Sequence, residues 1–253
     1  MPTSGLNPSF VNGVFNMLLE KERQMVVDYG RKMSASGLSI GTSRNISVYD
    51  PETGYMCISP SGLGYFETEA EDIAVMDLDG NQIDGSRKPS SEHGLHTVVY
   101  KNRPEARAVV PTHSPYATTL AGMHETLKPV HYAMMGANAY EVPLVPYVTF
   151  GTPELADEVE KVLREHEGAR AVLLANHGDV CFHVNLPKAF GLAENIEYPV
   201  AVRVRQRPGE SHRGRVRCGA RPLQDLRTGS ARQVAHRAGW DLWCSTRPFW
   251  LRW

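Results

Sequence analysis

Three short segments constrain this chain more than anything else in it: Pro89-Ser90-Ser91-Glu92, Thr112-His113-Ser114 and Asn176-His177-Gly178. A carboxylate and two imidazoles, drawn from far apart in sequence, can meet around one divalent metal. A catalytic zinc takes three protein ligands and keeps one position for substrate or water. His113 and His177 each fall where a predicted strand ends or meets a turn. Glu92 falls at a predicted helix start, where a carboxylate is stabilised and neighbouring N–H groups are free to bind anions. Taken singly, a histidine is more often a satisfied surface or core residue. Two residues before His113 stands Pro111, which brings no ligand atom where a His would make a His-x-His pair.

The pattern around these segments predicts interleaved helices and strands. Residues 10–36 carry apolar side chains near helical spacing (Val14, Met17, Leu18, Met25, Tyr29, Met33), with Gly37 as the stop. Residues 45–49 and 55–59 read as strands around Asp50-Pro51-Glu52-Thr53-Gly54. Ile73–Met76 is a strand, and Asp79-Gly80 turns it into another. Ser90 or Ser91 caps a helix to about Lys101, and Ala106–Val110 is a buried strand. A helix starts at Ser114-Pro115, Pro143–Tyr147 is an extended edge, and Thr152-Pro153-Glu154 opens a helix to about His166. Strands at Ala171–Leu174 and Val180–Val184 flank Asn176-His177-Gly178, and Leu186–Tyr198 is the last helix. This is a mixed α/β domain over residues 10–198.

Composition divides the chain near residue 200. Residues 201–253 hold 12 Arg, no Lys and three acidic residues (Glu210, Asp225, Asp241), a net +9 against −10 for the first 200 residues. All four Trp (240, 243, 250, 253) lie there too. Such a break marks a boundary. No apolar run is long enough for a membrane span, and no basic-then-apolar leader opens the chain. Cys57, Cys181, Cys218 and Cys244 form no CxxC pair, which predicts reduced thiols and a cytoplasmic protein.

Ser90-Ser91, Ser59-Pro60-Ser61-Gly62 and Thr42-Ser43-Arg44-Asn45 are three small polar turns. Each alone is more often an ordinary cap or turn; converging, they would cradle a phosphate. Together with Met76-Asp77-Leu78-Asp79-Gly80, Thr112-His113-Ser114-Pro115-Tyr116-Ala117, Val148-Thr149-Phe150-Gly151-Thr152-Pro153-Glu154-Leu155 and Ala175-Asn176-His177-Gly178, they carry a resemblance. In order along residues 37 to 198, they resemble the class II aldolase/adducin family, more closely its L-fuculose-1-phosphate aldolase-like branch.

The resemblance implies a single three-layer α/β/α domain over residues 1–198, with a central mixed, largely antiparallel sheet, and a tail of foreign composition at 199–253. It implies one zinc ion per subunit held by Glu92, His113 and His177, with Glu92 also the proton donor and acceptor. It makes Tyr132 the group that handles the proton of the cleaved bond's hydroxyl. Asn45, Ser61, Gly62, Ser90 and Ser91 become the phosphate site. The implied reaction cleaves a deoxyketose 1-phosphate, such as L-fuculose 1-phosphate, to dihydroxyacetone phosphate and a small aldehyde, in a cytoplasmic homotetramer. The Ser-Ser-Glu sequence favours an aldolase over the related ribulose-phosphate 4-epimerases.

The departures from the family pattern are specific. Pro111 replaces the first His of His-x-His, which predicts a weakened zinc site unless His93, His96 or His131 substitutes. Arg44 replaces a Gly and predicts obstruction of the phosphate turn, and Asp179 predicts an unpaired charge beside the metal strand. The tail reads as a frameshifted, unstructured segment rather than a nucleic-acid arm, because it carries no motif to present its arginines. Two alternatives to aldolase activity stay open: an inactive binding or scaffold protein, as adducins are, and a sister sugar-phosphate epimerase or dehydratase.

Overall fold

The computed structural model describes residues 17–39, 45–138 and 140–205. The readings made for residues 10–16, for Thr42-Ser43-Arg44 and for 206–253 lie outside those residues. All described residues fall in one compact unit.

Eight strands form one sheet in the order β4-β3-β2-β1-β5-β8-β7-β6. They are β1 (Ser47–Asp50), β2 (Tyr55–Ile58), β3 (Ala74–Asp77), β4 (Gln82–Asp84), β5 (Ala108–Thr112), β6 (Leu144–Val145), β7 (Ala171–Leu174) and β8 (Gly178–His183). Every pairing is antiparallel except β6 with β7. The hairpin turns follow from local chemistry. The Asp50 carboxylate accepts the Thr53 N–H and hydroxyl, and Gly54 takes φ 76° to close the β1–β2 turn. Asp77 does the same for the N–H groups of Asp79 and Asn81 between β3 and β4.

Strand alternation gives the sheet two apolar faces. Val48, Cys57, Val75, Ala108, Val110, Leu173 and Cys181 pack with α1 (Glu20–Ser36), α3 (Pro115–Gly122) and α5 (Leu186–Arg205). Met56, Ile58, Met76, Val109, Val172, Val180 and Phe182 pack with α2 (His93–Asn102) and α4 (Pro153–Glu165). The result is the expected three-layer α/β/α domain around a mixed, largely antiparallel sheet.

Three local expectations shift. In α1, Val26, Val27, Gly30 and Met33 form the buried stripe with Arg23, and Met25 and Tyr29 flank it. Gly30 is where the Tyr65 ring lies on the helix: a Cβ there would meet Tyr65 Cδ1 at 1.9 Å. The serine expected to cap α2 acts one step earlier. Ser90 Oγ accepts the Glu92 N–H at 3.2 Å, and Glu92 itself is the N-cap residue. Finally, α5 passes Tyr198 and Pro199 to reach Arg205. Val200 is buried, Arg203 pairs with Glu125 at 3.2 Å, and Arg205 donates to the Tyr116 hydroxyl at 2.5 Å. Those contacts hold the extra turns. No helix among the described residues is long and apolar enough to cross a membrane.

Candidate active site

β5 and β8 are neighbours, so the residues that leave β5 and enter β8 emerge side by side. His113 follows the last residue of β5, and its N–H donates to Leu38 O at 3.0 Å. His177 sits in the three-residue turn between β7 and β8, where Asn176 takes the left-handed conformation at φ 57°. Gly178 is required by proximity: a Cβ there would lie 2.1 Å from the Thr112 carbonyl oxygen. The two imidazoles stack with centroids 5.0 Å apart and planes 11° apart. Ser39 Oγ lies 3.3 Å from His113 Nδ1.

Glu92 enters from the α2 face. Its Oε2 accepts the Asn45 amide at 2.6 Å. Its Oε1 lies 3.4 Å from His177 Nε2, yet this buried oxygen has no hydrogen-bond partner. Burial raises the Glu92 pKa against the opposing pull of the Asn45 hydrogen bond and of His113. Burial lowers the pKa of His113, with His177 adding to the effect, and burial lowers that of His177. Both imidazoles are therefore neutral at neutral pH, and the contact with Glu92 is not a formal ion pair. Two neutral imidazoles and a carboxylate oxygen without a partner are donors that zinc accepts. The donor chemistry fits, but the side chains do not close on one point. Among the described residues no three His, Cys, Asp or Glu side chains are grouped as a metal site.

Two of the small polar turns meet, with Asn45 of the third beside them. Ser61 N donates to Lys88 O at 3.0 Å and Ser90 N to Ser59 O at 3.1 Å, and Pro60 bridges Pro89. Ser59 Oγ accepts the N–H of Ile46, next to Asn45, at 3.2 Å. Ser61, Gly62, Ser90 and Ser91 thus share one loop junction with the start of β1, and Gly62 holds φ 75°. Tyr132 is not gathered in. It is 79% exposed at the start of a short 3-10 turn, with its ring against His131.

The strand geometry explains how Pro111 is accommodated. Phe182 N donates to Arg170 O, toward β7. By alternation Val180 also faces β7, so its partner Pro111 directs its nitrogen away from β8. The ladder loses no donor. The Pro111 side chain shares a face with Val109, toward α2, as a ligand at this position would need to.

None of the three spare histidines replaces a ligand at 111. His96 is fully buried and engaged by Asn45 and Ser47. His93 lines a groove of about 390 Å³ between α2 and the start of α4, and His131 Nδ1 accepts the Ala133 N–H. Asp179 differs from the sequence expectation. It is buried but paired, accepting from the Thr112 hydroxyl and, at 3.3 Å, from Cys181 Sγ. Sequence reasoning missed Ser39, Ser47 and Tyr100. His96 had a signal: it lies four residues after Glu92, on the same helix face.

The family model for the class II aldolase and adducin N-terminal domain matches residues 24–204. The chain is 48% identical over 184 residues to 5-deoxy-D-ribulose 1-phosphate aldolase of Bacillus thuringiensis, covering 72% of this chain and 84% of that one. It is 34% identical over 177 residues to L-fuculose phosphate aldolase of Escherichia coli, covering 70% and 80%. A solved structure of an L-fuculose 1-phosphate aldolase superposes with a TM-score of 0.71 at 38% identity, covering 76% of this chain and 91% of that one. The chain belongs to the class II aldolase and adducin family, and within it stands with the aldolases, the class II aldehyde-lyases.

Proposed function

We propose that this protein is a zinc-dependent aldolase that cleaves a deoxyketose 1-phosphate between C3 and C4. The carrying observation is Glu92: a buried carboxylate with one oxygen unpartnered, facing two neutral imidazoles. The identities of 48% to a 5-deoxyribulose 1-phosphate aldolase and 34% to a fuculose phosphate aldolase favour a five-carbon substrate over a six-carbon one. For 5-deoxyribulose 1-phosphate the products would be dihydroxyacetone phosphate and acetaldehyde.

His113, His177 and Glu92 would hold the zinc, which when bound supplies a Lewis acid for the ketose oxygens and for the negative charge of carbon–carbon cleavage. We assign the phosphate to the junction of Ser61, Gly62, Ser90 and Ser91, with the second amide proton of Asn45. Glu92, whose pKa is raised by burial, is suited to pass a proton to the carbon that becomes the terminal CH2OH of dihydroxyacetone phosphate. Tyr132 takes the C4 hydroxyl proton, and we place it in the site of a neighbouring subunit of a cytoplasmic homotetramer. Its exposure supports this, as does that of Met135 (81%), Tyr140 (85%) and Tyr198 (57%), large apolar side chains left uncovered.

A second reading, a binding protein without turnover, is favoured by Pro111. One experiment separates the two: zinc titration and release of dihydroxyacetone phosphate by the zinc-loaded chain beside Pro111→His. Cleavage by both, with zinc bound on the order of tenfold or more tightly by P111H, supports the aldolase. Activity in P111H alone makes the natural chain an impaired copy. Absence of cleavage in both, with substrate still bound, supports the binding protein, and an isomerised phosphate as sole product supports the epimerase class.

A further inference from the structure

Behind Glu92 runs a buried chain of polar side chains, of which the proposed reaction uses only Asn45. The Tyr100 hydroxyl lies 2.6 Å from Ser47 Oγ, and Ser47 Oγ lies 2.6 Å from His96 Nδ1. His96 Nε2 meets Asn45 Oδ1 at 2.5 Å, and Asn45 Nδ2 donates to Glu92 Oε2 at 2.6 Å. All five residues are buried, and His96 and Ser47 are completely so. They come from α2 and its N-cap Glu92, from β1 and from the residue two before β1, so the chain ties the helix that follows Glu92 to the centre of the sheet.

With Glu92 ionised, one set of donor and acceptor roles satisfies every hydrogen bond in this chain. An ionised carboxylate only accepts, so Asn45 must present its amide nitrogen to Glu92 and its oxygen to His96. The oxygen only accepts, so His96 carries its proton on Nε2. Burial holds the His96 pKa down to about 3, so the ring is neutral and its Nδ1 is a bare acceptor. Ser47 donates to Nδ1 and therefore accepts from Tyr100, whose pKa burial raises well above the ordinary value. The donors run one way, from Tyr100 to Glu92. The other His96 tautomer would turn the Asn45 amide round and set its oxygen against a carboxylate oxygen at hydrogen-bond distance.

We propose that His96 is a positioning residue for Glu92, acting through Asn45: it fixes the carboxamide so that Oε2 is held by a donor and Oε1 is left facing His177 and the substrate. This rests on the aldolase reading for its effect on rate, but not for its geometry. It also gives Asn45 a role distinct from phosphate binding.

The test compares His96→Gln with His96→Asn in the zinc-loaded full chain. Gln places a donor near the former Nε2, and Asn keeps a partner for Ser47 but does not reach Asn45. The expected result is a kcat loss of about 10- to 100-fold in H96N with KM within about twofold, as for outer-shell residues elsewhere, and near-native kcat in H96Q. The double variant of Asn45→Ala with H96N should be no slower than Asn45→Ala alone. Equal losses in H96Q and H96N that track thermal stability, or additive losses in the double variant, overturn the proposal. Nitrogen-15 NMR of the same proteins reads the geometry without turnover. A wild type inactive on every ketose 1-phosphate defeats the aldolase reading alone. The positioning role then stands if His96 is the Nε2–H tautomer and the slowly exchanging Asn45 amide proton survives in H96Q but not in H96N. It falls if the tautomer is Nδ1–H or that proton persists in H96N.

Discussion

Glu92 and Asp179 are both buried carboxylates at the same end of the sheet, but they lie on opposite faces and are provided for differently. Asp179, on the face covered by α3 and α5, has a donor on each oxygen: the Thr112 hydroxyl and the Cys181 thiol. Glu92, on the α2 face, has one oxygen held by Asn45 and the other left bare beside His177. Leaving a buried polar atom unpaired costs about 1–3 kcal/mol, and more for a charge. A fold that fully pairs one carboxylate could have paired the other. The difference separates a group that holds two strands together from a group kept short of partners so that something else can approach it.

The comparison is broken most severely at Glu92. Glu92→Gln keeps the shape and a possible bond with Asn45 but cannot transfer a proton, so kcat should fall about 10²- to 10⁴-fold. The same change should raise thermal stability relative to wild type as pH rises above the ordinary carboxylate range. The sign follows from the raised pKa of Glu92. The folded state binds a proton that the unfolded state releases, so the stability contributed below the unfolded pKa is lost as pH rises through the folded one. Gln does not titrate and escapes that loss. Kinetics and melting curves at two pH values check both halves, and a Glu92→Gln protein that is slower and also less stable would make Glu92 a structural carboxylate like Asp179.

The second test removes the partner on the other face. Thr112→Val is close to isosteric and deletes the hydroxyl that donates to Asp179. It should cost roughly 1–3 kcal/mol in denaturant unfolding, because Asp179 remains buried with one donor fewer. The zinc-dependent rate should change less than in Glu92→Gln. A loss under a few tenths of a kcal/mol would mean that Asp179 does not depend on Thr112.

Much of this was legible in the sequence for a physical reason. Strand ends and turns are announced locally, by Asp50 before Gly54 and by Asn176 before Gly178, and the apolar alternation of β5, β7 and β8 signals burial. The motifs therefore fell on strand ends, a turn and a helix start, and Glu92, His113 and His177 were singled out as candidates before any geometry. What pairs with what across the sheet was not legible. Asp179 looked like a misplaced charge because its partner Thr112 is 67 residues away, and the bond from His96 to Asn45 was not foreseen because nothing local ties the two together. The long reach of α5 was hidden as well. Pro199 argues against a helix, and Val200 in the core and Arg203 on Glu125 override it.

The smallest effect separates the two carboxylates by pH. Burial, with a further push from Glu197 on α5, raises the pKa of Asp179 to about 7 despite its bonds from Thr112 on β5 and Cys181 on β8. An unfolded Asp titrates near 3.9. Below about pH 4 the residue is protonated in both states. Between about 4 and 7 the folded protein retains a proton that the unfolded chain gives up, so the contribution of Asp179 to stability declines across that window and is gone above it. Asp179→Asn carries no such proton. Its melting temperature relative to wild type should therefore rise between pH 5 and pH 8, by on the order of a few degrees for a domain of this size. Glu92 titrates in the same direction, so the measurement belongs in the Glu92→Gln background, where only Asp179 differs. Parallel melting curves for Glu92→Gln with and without Asp179→Asn would place the Asp179 pKa near its unfolded value. The two thiol and hydroxyl donors would then outweigh burial, and the contrast between the faces would rest on hydrogen-bond count alone.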